Sequence, residues 1–254
     1  MNQFTHAIVR KPGKNFAQGL TTACLGPPDY ETLVQQHRAY VQTLESLGLK
    51  IIHLDAEPDF PDAYFVEDTA VVTPRVAVIA RPGAAARQGE EKTIETVLAG
   101  HRTIERIDPP GTLDGGDVLM LGNRFYIGVS ARTNSAGAEQ LSEILRRYGH
   151  EPHSIQVADG LHLKSGLNSA GPNTLILTQS FYDLKVLASY EKILLSEDEA
   201  YAANSLFLNH HLLMPSGFPK LKRRLESIQC PIIELNVSEV RKMDGGLTCL
   251  SIRF

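Results

Sequence analysis

Two stretches of this 254-residue chain share one pattern: residues 68–83, DTAVVTPRVAVIARPG, and residues 117–132, DVLMLGNRFYIGVSAR. Each begins with an acidic residue and continues as a short apolar strand, a turn that carries an arginine, and a second strand. The acidic residues, Asp68 and Asp117, are 49 positions apart, and so are the turn arginines, Arg75 and Arg124. A constant spacing of this length predicts a repeat architecture built from β-hairpins.

Further copies of the pattern extend it along the chain. A similar hairpin is predicted at residues 204–217, NSLFLNHHLLMPSG, and a looser one at residues 173–184, NTLILTQSFYDL. Each repeat then ends in a helix-like segment followed by another strand. Five such endings occur, at residues 44–55, 97–108, 145–157, 186–196 and 225–236.

The two chain ends complete the pattern. A strand-like segment, GLTCLSIRF, follows the fifth ending, and HAIVRKPG near the N-terminus resembles the second strand of a hairpin. Pairing these ends would close a ring and remove exposed sheet edges. The sequence therefore predicts an α/β fold, a single five-bladed α/β propeller over residues 1–254 with ββαβ-type repeats. An ordinary α+β sandwich with coincidentally similar hairpins is the alternative. Residues 13–29, rich in Gly and Pro, are predicted to form a lid over a site.

Composition excludes several classes of protein. The chain has 25 Lys and Arg against 29 Asp and Glu, a formal charge of −4, which disfavours nucleic-acid binding. No uninterrupted apolar run reaches the roughly 18 residues of a spanning helix, and the first residues lack a secretory signal pattern, so neither a membrane nor a secreted role is expected. Three cysteines are too few for a disulfide framework, and a cytoplasmic location is predicted.

Cys249 and His162 are the candidate catalytic pair. Cys249 follows the Gly245-Gly246 pair, and glycines permit backbone conformations and close ligand approach that other residues forbid. A lone cysteine is by default a small buried hydrophobe, but the company of a histidine and several carboxylates is the composition of an activated thiol nucleophile. His162 is preferred among nine histidines because it precedes a Lys-Ser-Gly turn at the head of a repeat.

Metal chemistry is not expected. His210 and His211 are adjacent, and neighbouring residues of a strand point to opposite faces, so this pair indicates a hairpin turn. Neither a CxxC pair nor an HExxH motif occurs. We therefore predict no metal and no cofactor.

The acidic residues indicate a cationic substrate. Asp114 and Asp117 flank two glycines, and Glu67-Asp68 precede an apolar strand; each group could also be a solvated turn. Carboxylates near a thiol raise its pKa unless a positive charge is bound between them, and a planar guanidinium pairs well with carboxylates. Arg87 and Arg132 lie 45 positions apart at equivalent points of two repeats and could hold a substrate carboxylate. The pattern favours an amino acid with a guanidine side chain.

The sequence resembles the guanidino-group-modifying enzymes of the pentein superfamily, most closely the dimethylarginine dimethylaminohydrolases. The resemblance extends over essentially the whole chain. It rests jointly on PDAYFVED (61–68), ARPGAAAR (80–87), PPGTLDGGD (109–117), FYIGVSARTN (125–134), LHLKSGL (161–167), AYAAN (200–204) and RKMDGGLTCLSIRF (241–254).

The resemblance also assigns roles to residues of this chain. The implied nucleophile is Cys249, the implied general acid and base is His162, and the implied acid that orients the histidine is Asp114, which could contact His162, the guanidinium or both. The implied substrate-binding residues are Asp68 for the guanidinium, Arg87 and Arg132 for the α-carboxylate, and Asp62 with main-chain carbonyls near Leu20 and Met243 for the α-amino group. Glu67, next to Asp68, is a further candidate for substrate binding.

One departure narrows the expected substrate. Related arginine deiminases carry His-Leu-Asp, whereas this chain carries His162-Leu163-Lys164. Losing that carboxylate would leave room for N-methyl groups, which donate no hydrogen bond, without stranding a buried acceptor. The resemblance therefore implies conversion of dimethyl- or monomethylarginine to citrulline through a covalent thiouronium, with a small-molecule methylated arginine as partner and a homodimer possible. Arginine deiminase or amidinotransferase activity, or a noncatalytic five-bladed module, are the alternatives.

Overall fold

Five three-stranded sheets account for the strands of the computed structural model, which describes residues 3–158, 160–226, 228 and 230–254. In each sheet the middle strand pairs antiparallel with one neighbour and parallel with the other. The strands are β1 His6–Arg10, β2 Lys50–Leu54, β3 Ala70–Val72, β4 Val76–Ile79, β5 Thr103–Arg106, β6 Val118–Leu121, β7 Arg124–Val129, β8 Glu151–Gln156, β9 Leu167–Ser169, β10 Thr174–Leu177, β11 Glu191–Leu194, β12 Leu206–Leu208, β13 His211–Pro215, β14 Ile232–Leu235 and β15 Ile252–Arg253.

Blade 1 consists of β15, β1 and β2, and the remaining strands form blades 2 to 5 in chain order, three to a blade. Blade 1 closes the ring, because β15 from the C-terminus pairs antiparallel with β1, with Ala7 opposite Arg253 and Ile8 opposite Ile252. This pairing and the five sheets confirm the predicted five-bladed α/β propeller. The α+β sandwich is excluded.

Five apolar clusters fill the spaces between neighbouring blades. Alternate residues of a middle strand enter different clusters: Val76 and Val78 of β4 pack towards blade 3, and Ala77 and Ile79 pack towards blade 1. Because side chains of a strand alternate between its two faces, a strand buried on both faces reads as a continuous apolar run. Each repeat therefore buries its apolar residues only by packing against its two neighbours in the ring.

The longer helices cover the outer part of the blades. Two begin with a side-chain cap: Asp29 accepts from the backbone N–H of Thr32, and Asn134 accepts from that of Gly137, each at 2.8 Å. The helices are α1 Tyr30–Ser46, α2 Glu91–Ala99, α3 Ser135–Arg147, α4 Leu163–Gly166, α5 Gln179–Tyr182, α6 Pro219–Leu225 and α7 Ser238–Arg241. None of the helices in the described part of the chain is both long and apolar enough to cross a membrane.

The fourth repeat departs from the prediction. The prediction of a looser hairpin at residues 173–184 is wrong. The first strand of that segment, β10, pairs with the preceding β9, and the short helix α5 takes the place of the expected second strand. Phe181 and Leu184 are spaced for one face of a helix and pack in the apolar cluster between blades 3 and 4. The helix expected in the 186–196 ending is a single 3-10 turn, Lys185–Leu187. The fifth ending contains Ser227 and Gln229, which lie outside the described residues.

A short helical turn precedes the first strand of every blade, and several predicted site residues lie in these turns or directly before them. Neighbouring turns contact one another around the ring. Residues widely separated in sequence therefore meet at one end of the propeller. The five turns are Val66–Thr69, Gly115–Asp117, Leu163–Gly166, Glu197–Ala203 and Thr248–Leu250.

Candidate active site

His162 and Asp114 form a buried pair. His162 caps the N-terminus of α4, and its Nε2 lies 2.9 Å from Oδ2 of Asp114. The other oxygen of Asp114 accepts from the backbone N–H of Gly83 at 2.9 Å, so the carboxylate is held from two sides. Asp114 therefore contacts His162 directly, and whether it also contacts the substrate guanidinium stays a prediction.

Several carboxylates surround the imidazole. Burial alone would lower the pKa of His162, but the charges of Asp68, Asp114 and Asp117 and the hydrogen bond to Asp114 outweigh it and raise the pKa to about 9. The imidazole is therefore protonated at neutral pH.

Cys249 is the central residue of the last of the five turns, the 3-10 helix Thr248–Leu250. The turn requires glycines before it, because a Cβ on Gly245 would lie 2.3 Å from the ring of Phe65 and one on Gly246 would lie 2.4 Å from Asn204. Burial, followed by the charges of Glu67 and Asp68, raises the pKa of the Cys249 thiol to about 12.

Two cavities meet at Cys249 and His162, and both are also lined by Asp244 and Gly245. We call the one lined by Arg87 and Arg132 the carboxylate-side cavity and the one lined by Glu67 and Lys164 the inner cavity. The carboxylate-side cavity is lined in addition by Leu20, Asp62, Phe65, Asp68, Arg87, Arg132, Leu161 and Met243. The inner cavity is lined in addition by Glu67, Gly116, Lys164, Ser165, Tyr201, Asn204, Gly246 and Thr248. The structure thus brings every predicted site residue to these two cavities except Asp114, which is buried behind His162.

Asp68 connects the imidazole to the arginines. Its Oδ1 accepts from the backbone N–H of Gly116 at 2.9 Å and lies 4.0 Å from Nε2 of His162, while its Oδ2 accepts from Nη1 of Arg87 at 2.5 Å. Arg132 is less enclosed, and its Nη1 lies 3.9 Å from Asp114. Carboxylates and guanidinium groups therefore alternate along this wall of the site.

Glu67 has different neighbours. Its Oε1 accepts from Nζ of Lys164 at 2.6 Å and Nη2 of Arg253 at 2.7 Å, and its Oε2 accepts from the hydroxyl of Thr248 at 2.6 Å. A larger cavity, about 140 Å³ and lined mainly by apolar strand residues, lies on the other side of this group, since Glu67, Lys164 and Thr248 line both. A direct contact of Glu67 with a substrate guanidinium stays a prediction.

The predicted lid segment crosses the carboxylate-side cavity. The backbone N–H of Leu20 donates to Oδ2 of Asp62 at 2.9 Å, and both the backbone N–H and the hydroxyl of Thr22 donate to Asp244, at 2.5 and 3.0 Å. Burial raises the pKa of Asp62, although the bond from Leu20 and the nearby Arg87 charge oppose this. Met243 is buried beside the same cavity.

Asp68, Asp114 and His162 are also a possible metal-binding group, since one ligand atom of each lies within 4.8 Å of the others. Asp114 is already bonded to His162, and Asp68 to Arg87. The same negative charge suits an organic cation that donates hydrogen bonds. The absence of a metal from the reaction stays a prediction.

Several contributing residues were not assigned from the sequence. Asp117 accepts from the backbone N–H of Leu163 at 2.8 Å and from Ser130, and thereby fixes the start of α4 beside His162. Glu90 holds Arg87 through both carboxylate oxygens. The i,i+3 spacing of Arg87 and Glu90 was the available signal for this pair.

The chain is similar to known enzymes over its full length. The sequence model of the arginine deiminase family matches residues 56–162. The N(G),N(G)-dimethylarginine dimethylaminohydrolase of Pseudomonas aeruginosa is 39% identical over 99% of this chain and 100% of its own length, and that of Streptomyces coelicolor is 34% identical over 97% and 96%. A crystal structure of the Pseudomonas enzyme, a cysteine-to-serine variant complexed with citrulline, superposes with a TM-score of 0.97 at 39% identity over the full length of both chains. An arginine dihydrolase domain at 18% identity shares the fold, with a TM-score of 0.88 over 98% of this chain and 97% of its own. The chain belongs to the dimethylarginine dimethylaminohydrolase family of the pentein superfamily.

Proposed function

We propose that this chain hydrolyses Nω,Nω-dimethyl-L-arginine and Nω-methyl-L-arginine to L-citrulline, with release of dimethylamine or methylamine. The observation that carries the proposal is the placement of Cys249 and an Asp114-oriented His162 on one cavity wall beside Asp68. The full-length similarity to two dimethylarginine dimethylaminohydrolases supports it. We expect Cys249 to be the nucleophile and His162 the general acid and base.

The carboxylate-side cavity provides complementary groups for the rest of the substrate. We propose that Asp68 holds the guanidinium through its Oδ1, and that Arg132 and the unoccupied N–H of Arg87 bind the α-carboxylate. Asp62 and the main-chain carbonyls of Leu20 and Met243 would receive the α-amino group. Each assignment pairs opposite charges within a largely buried site, where such hydrogen bonds are strongest.

Substrate binding would activate the thiol. Before substrate binds, burial and then the charges of Glu67 and Asp68 hold the pKa of Cys249 at about 12, and the surrounding carboxylates hold that of His162 at about 9, so a neutral thiol faces a protonated imidazole. A guanidinium bound against Asp68 would neutralise that carboxylate and place a positive charge beside the sulfur. Both effects lower the pKa of the thiol.

The reaction would then proceed in two halves. The Cys249 thiolate attacks the guanidinium carbon, a C–S bond forms, and the bond from that carbon to the methylated nitrogen breaks as His162 gives the departing amine its proton. The neutral imidazole next takes a proton from water, the resulting hydroxide attacks the thiouronium carbon, and the C–S bond breaks. The hydroxyl proton of the product passes to solvent, citrulline is released, and the Cys249 thiolate and the protonated imidazole of His162 are regenerated.

Citrulline formation from dimethylarginine tests the proposal. The Cys249→Ser and His162→Ala variants should each lose roughly 10³-fold or more in kcat and keep the circular dichroism spectrum of the folded chain. Full turnover by either variant would refute the assignment of that residue.

An arginine deiminase activity is the second candidate, because that family's model matches residues 56–162. Lys164 stands where the deiminases have an acidic residue, and its Nζ donates to Oε1 of Glu67 at 2.6 Å. An unmethylated guanidinium nitrogen therefore finds no free carboxylate at either of these two side chains. We therefore expect kcat/KM for dimethyl- or monomethylarginine to exceed that for arginine by roughly tenfold or more. The opposite order would favour arginine as the substrate.

A further inference from the structure

Arg87 is almost fully engaged by protein groups. Its Nε donates to both carboxylate oxygens of Glu90, at 3.2 and 3.1 Å. Its Nη2 donates to Oε2 of Glu90 at 2.8 Å and to the carbonyl of Phe65 at 3.0 Å, and one N–H of its Nη1 donates to Asp68. Of the five guanidinium N–H groups, the contacts among the described residues leave one on Nη1 without an acceptor.

Glu90 acts on Arg87 from outside the site. It is 1% exposed, it directly precedes α2, and it lines neither of the two cavities at Cys249. A carboxylate bound through both oxygens to one edge of a guanidinium fixes its plane as well as its position. The orientation of Arg87 therefore depends on a residue that does not reach the cavity in which a ligand would bind.

We propose that Glu90 is a positioning residue that holds Arg87 with its one remaining N–H towards the α-carboxylate of the substrate. The inference rests on the proposed function and adds to it the origin of carboxylate recognition. Arg132 contributes a second cation, and its side chain has no comparable pair of bonds to a carboxylate among the described residues. Without Glu90, Arg87 would be held only by Asp68 and the backbone carbonyls of Asp62 and Phe65, and the plane of its guanidinium would no longer be fixed by a second carboxylate.

The test compares two ligands that differ only in the α-carboxylate: Nω,Nω-dimethyl-L-arginine and Nω,Nω-dimethylagmatine. Both are titrated calorimetrically at pH 8 into the Cys249→Ala variant, which has no nucleophile, and into Cys249→Ala with Glu90→Gln. The amide nitrogen of glutamine would face donors of Arg87, so the double variant should bind dimethylarginine roughly tenfold or more weakly. Its affinity for dimethylagmatine should change by less than about twofold, because that ligand has no group for Arg87 to bind.

Two further variants distinguish a loss of Arg87 orientation from a general loss of protein stability. Glu105→Gln breaks an ion pair with Arg147, 3.0 Å long, that includes neither Arg87 nor Glu90, and should leave both affinities unchanged. Glu90→Asp keeps the charge at shorter reach; it should give an intermediate loss for dimethylarginine alone, and it provides the test if Glu90→Gln does not fold.

The possible failures are distinguishable. If Cys249→Ala binds neither ligand, the proposed function is wrong and the inference fails with it. If Cys249→Ala binds dimethylarginine but the Glu90 variants weaken both ligands equally, or neither, only the positioning role is refuted.

Discussion

At the scale of single residues, the site combines a thiol and an imidazole whose pKa values are both raised, and Asp68 contributes to both shifts. Burial comes first for Cys249, and the charges of Glu67 and Asp68 add to it. For His162 the charges of Asp68, Asp114 and Asp117 overcome burial. The negative charge needed to hold a guanidinium thus keeps the nucleophile unreactive until that guanidinium is bound.

Asp68→Asn should therefore make the free enzyme's thiol more reactive while it lowers turnover. Removing one carboxylate lowers the pKa of Cys249, and each unit of decrease raises the thiolate fraction about tenfold at a pH below the pKa. We expect iodoacetamide to alkylate Cys249 several-fold faster at pH 8, measured by peptide mass spectrometry, which separates Cys249 from Cys24 and Cys230. Unchanged or slower alkylation would show that Asp68 does not control the thiol.

Residues in or beside the glycine-rich turns and family motifs could be predicted from sequence. Residues that act by holding another side chain in place could not. Cys249, His162 and Asp114 were assigned from glycine-rich turns and family motifs, and the structure places them together. The three donors around Glu67 come from segments of blades 4 and 1, so they depend on contacts between different blades. No local pattern encodes such contacts, because they arise only when the ring closes.

At the scale of elements, the segment of residues 13–29 reaches the carboxylate-side cavity at Leu20. Leu20 and Thr22 are held by two carboxylates, Asp62 and Asp244, while the ends of the segment are attached through Phe16, which packs in the apolar core, and the N–H of Asp29, which donates to Glu239. Asp244 adopts a left-handed backbone conformation, with φ of 57°, directly before the glycine pair. One turn therefore supplies both the approach to Cys249 and an attachment point for the segment. Its opening and closing as a lid stays a prediction.

Asp244→Gly tests that attachment. Glycine accepts the left-handed conformation, so the substitution removes the carboxylate without backbone strain. Losing two hydrogen bonds to a charged acceptor, each about 1.5–3 kcal/mol, should speed hydrogen–deuterium exchange in peptides covering residues 13–29 by tenfold or more and raise KM.

His210→Gly is the matched control for that substitution. His210 also has a positive φ, 66°, but lies in the hairpin turn between β12 and β13. Its substitution should leave exchange in the segment unchanged. Equal exchange in the Asp244→Gly variant and the wild-type chain would show that other contacts hold the segment.

At the scale of the whole molecule, the repeat spacing and the matching chain ends were sufficient to predict the ring. Four of the five repeats matched their predicted elements, because alternating burial on both faces of the middle strand leaves a clear apolar run. The fourth failed where Phe181 and Leu184 suited a helix packed between blades more than a strand. A single catalytic domain, a homodimer and a cytoplasmic location each stay a prediction.

The group around Glu67 connects blades that are distant in sequence, and it carries the last prediction. Glu67 precedes blade 2, Lys164 precedes blade 4, and Thr248 and Arg253 belong to the C-terminal segment of blade 1. Glu67→Ala leaves two enclosed cations without their carboxylate and should lower the free energy of unfolding by about 3–5 kcal/mol in urea denaturation. Glu95→Ala, which removes an exposed partner of Arg106, should cost at most about 1 kcal/mol. Similar losses in the two variants would mean that the ring is held by its apolar clusters alone, and that the central ion group serves only to divide the inner cavity from the larger one behind it.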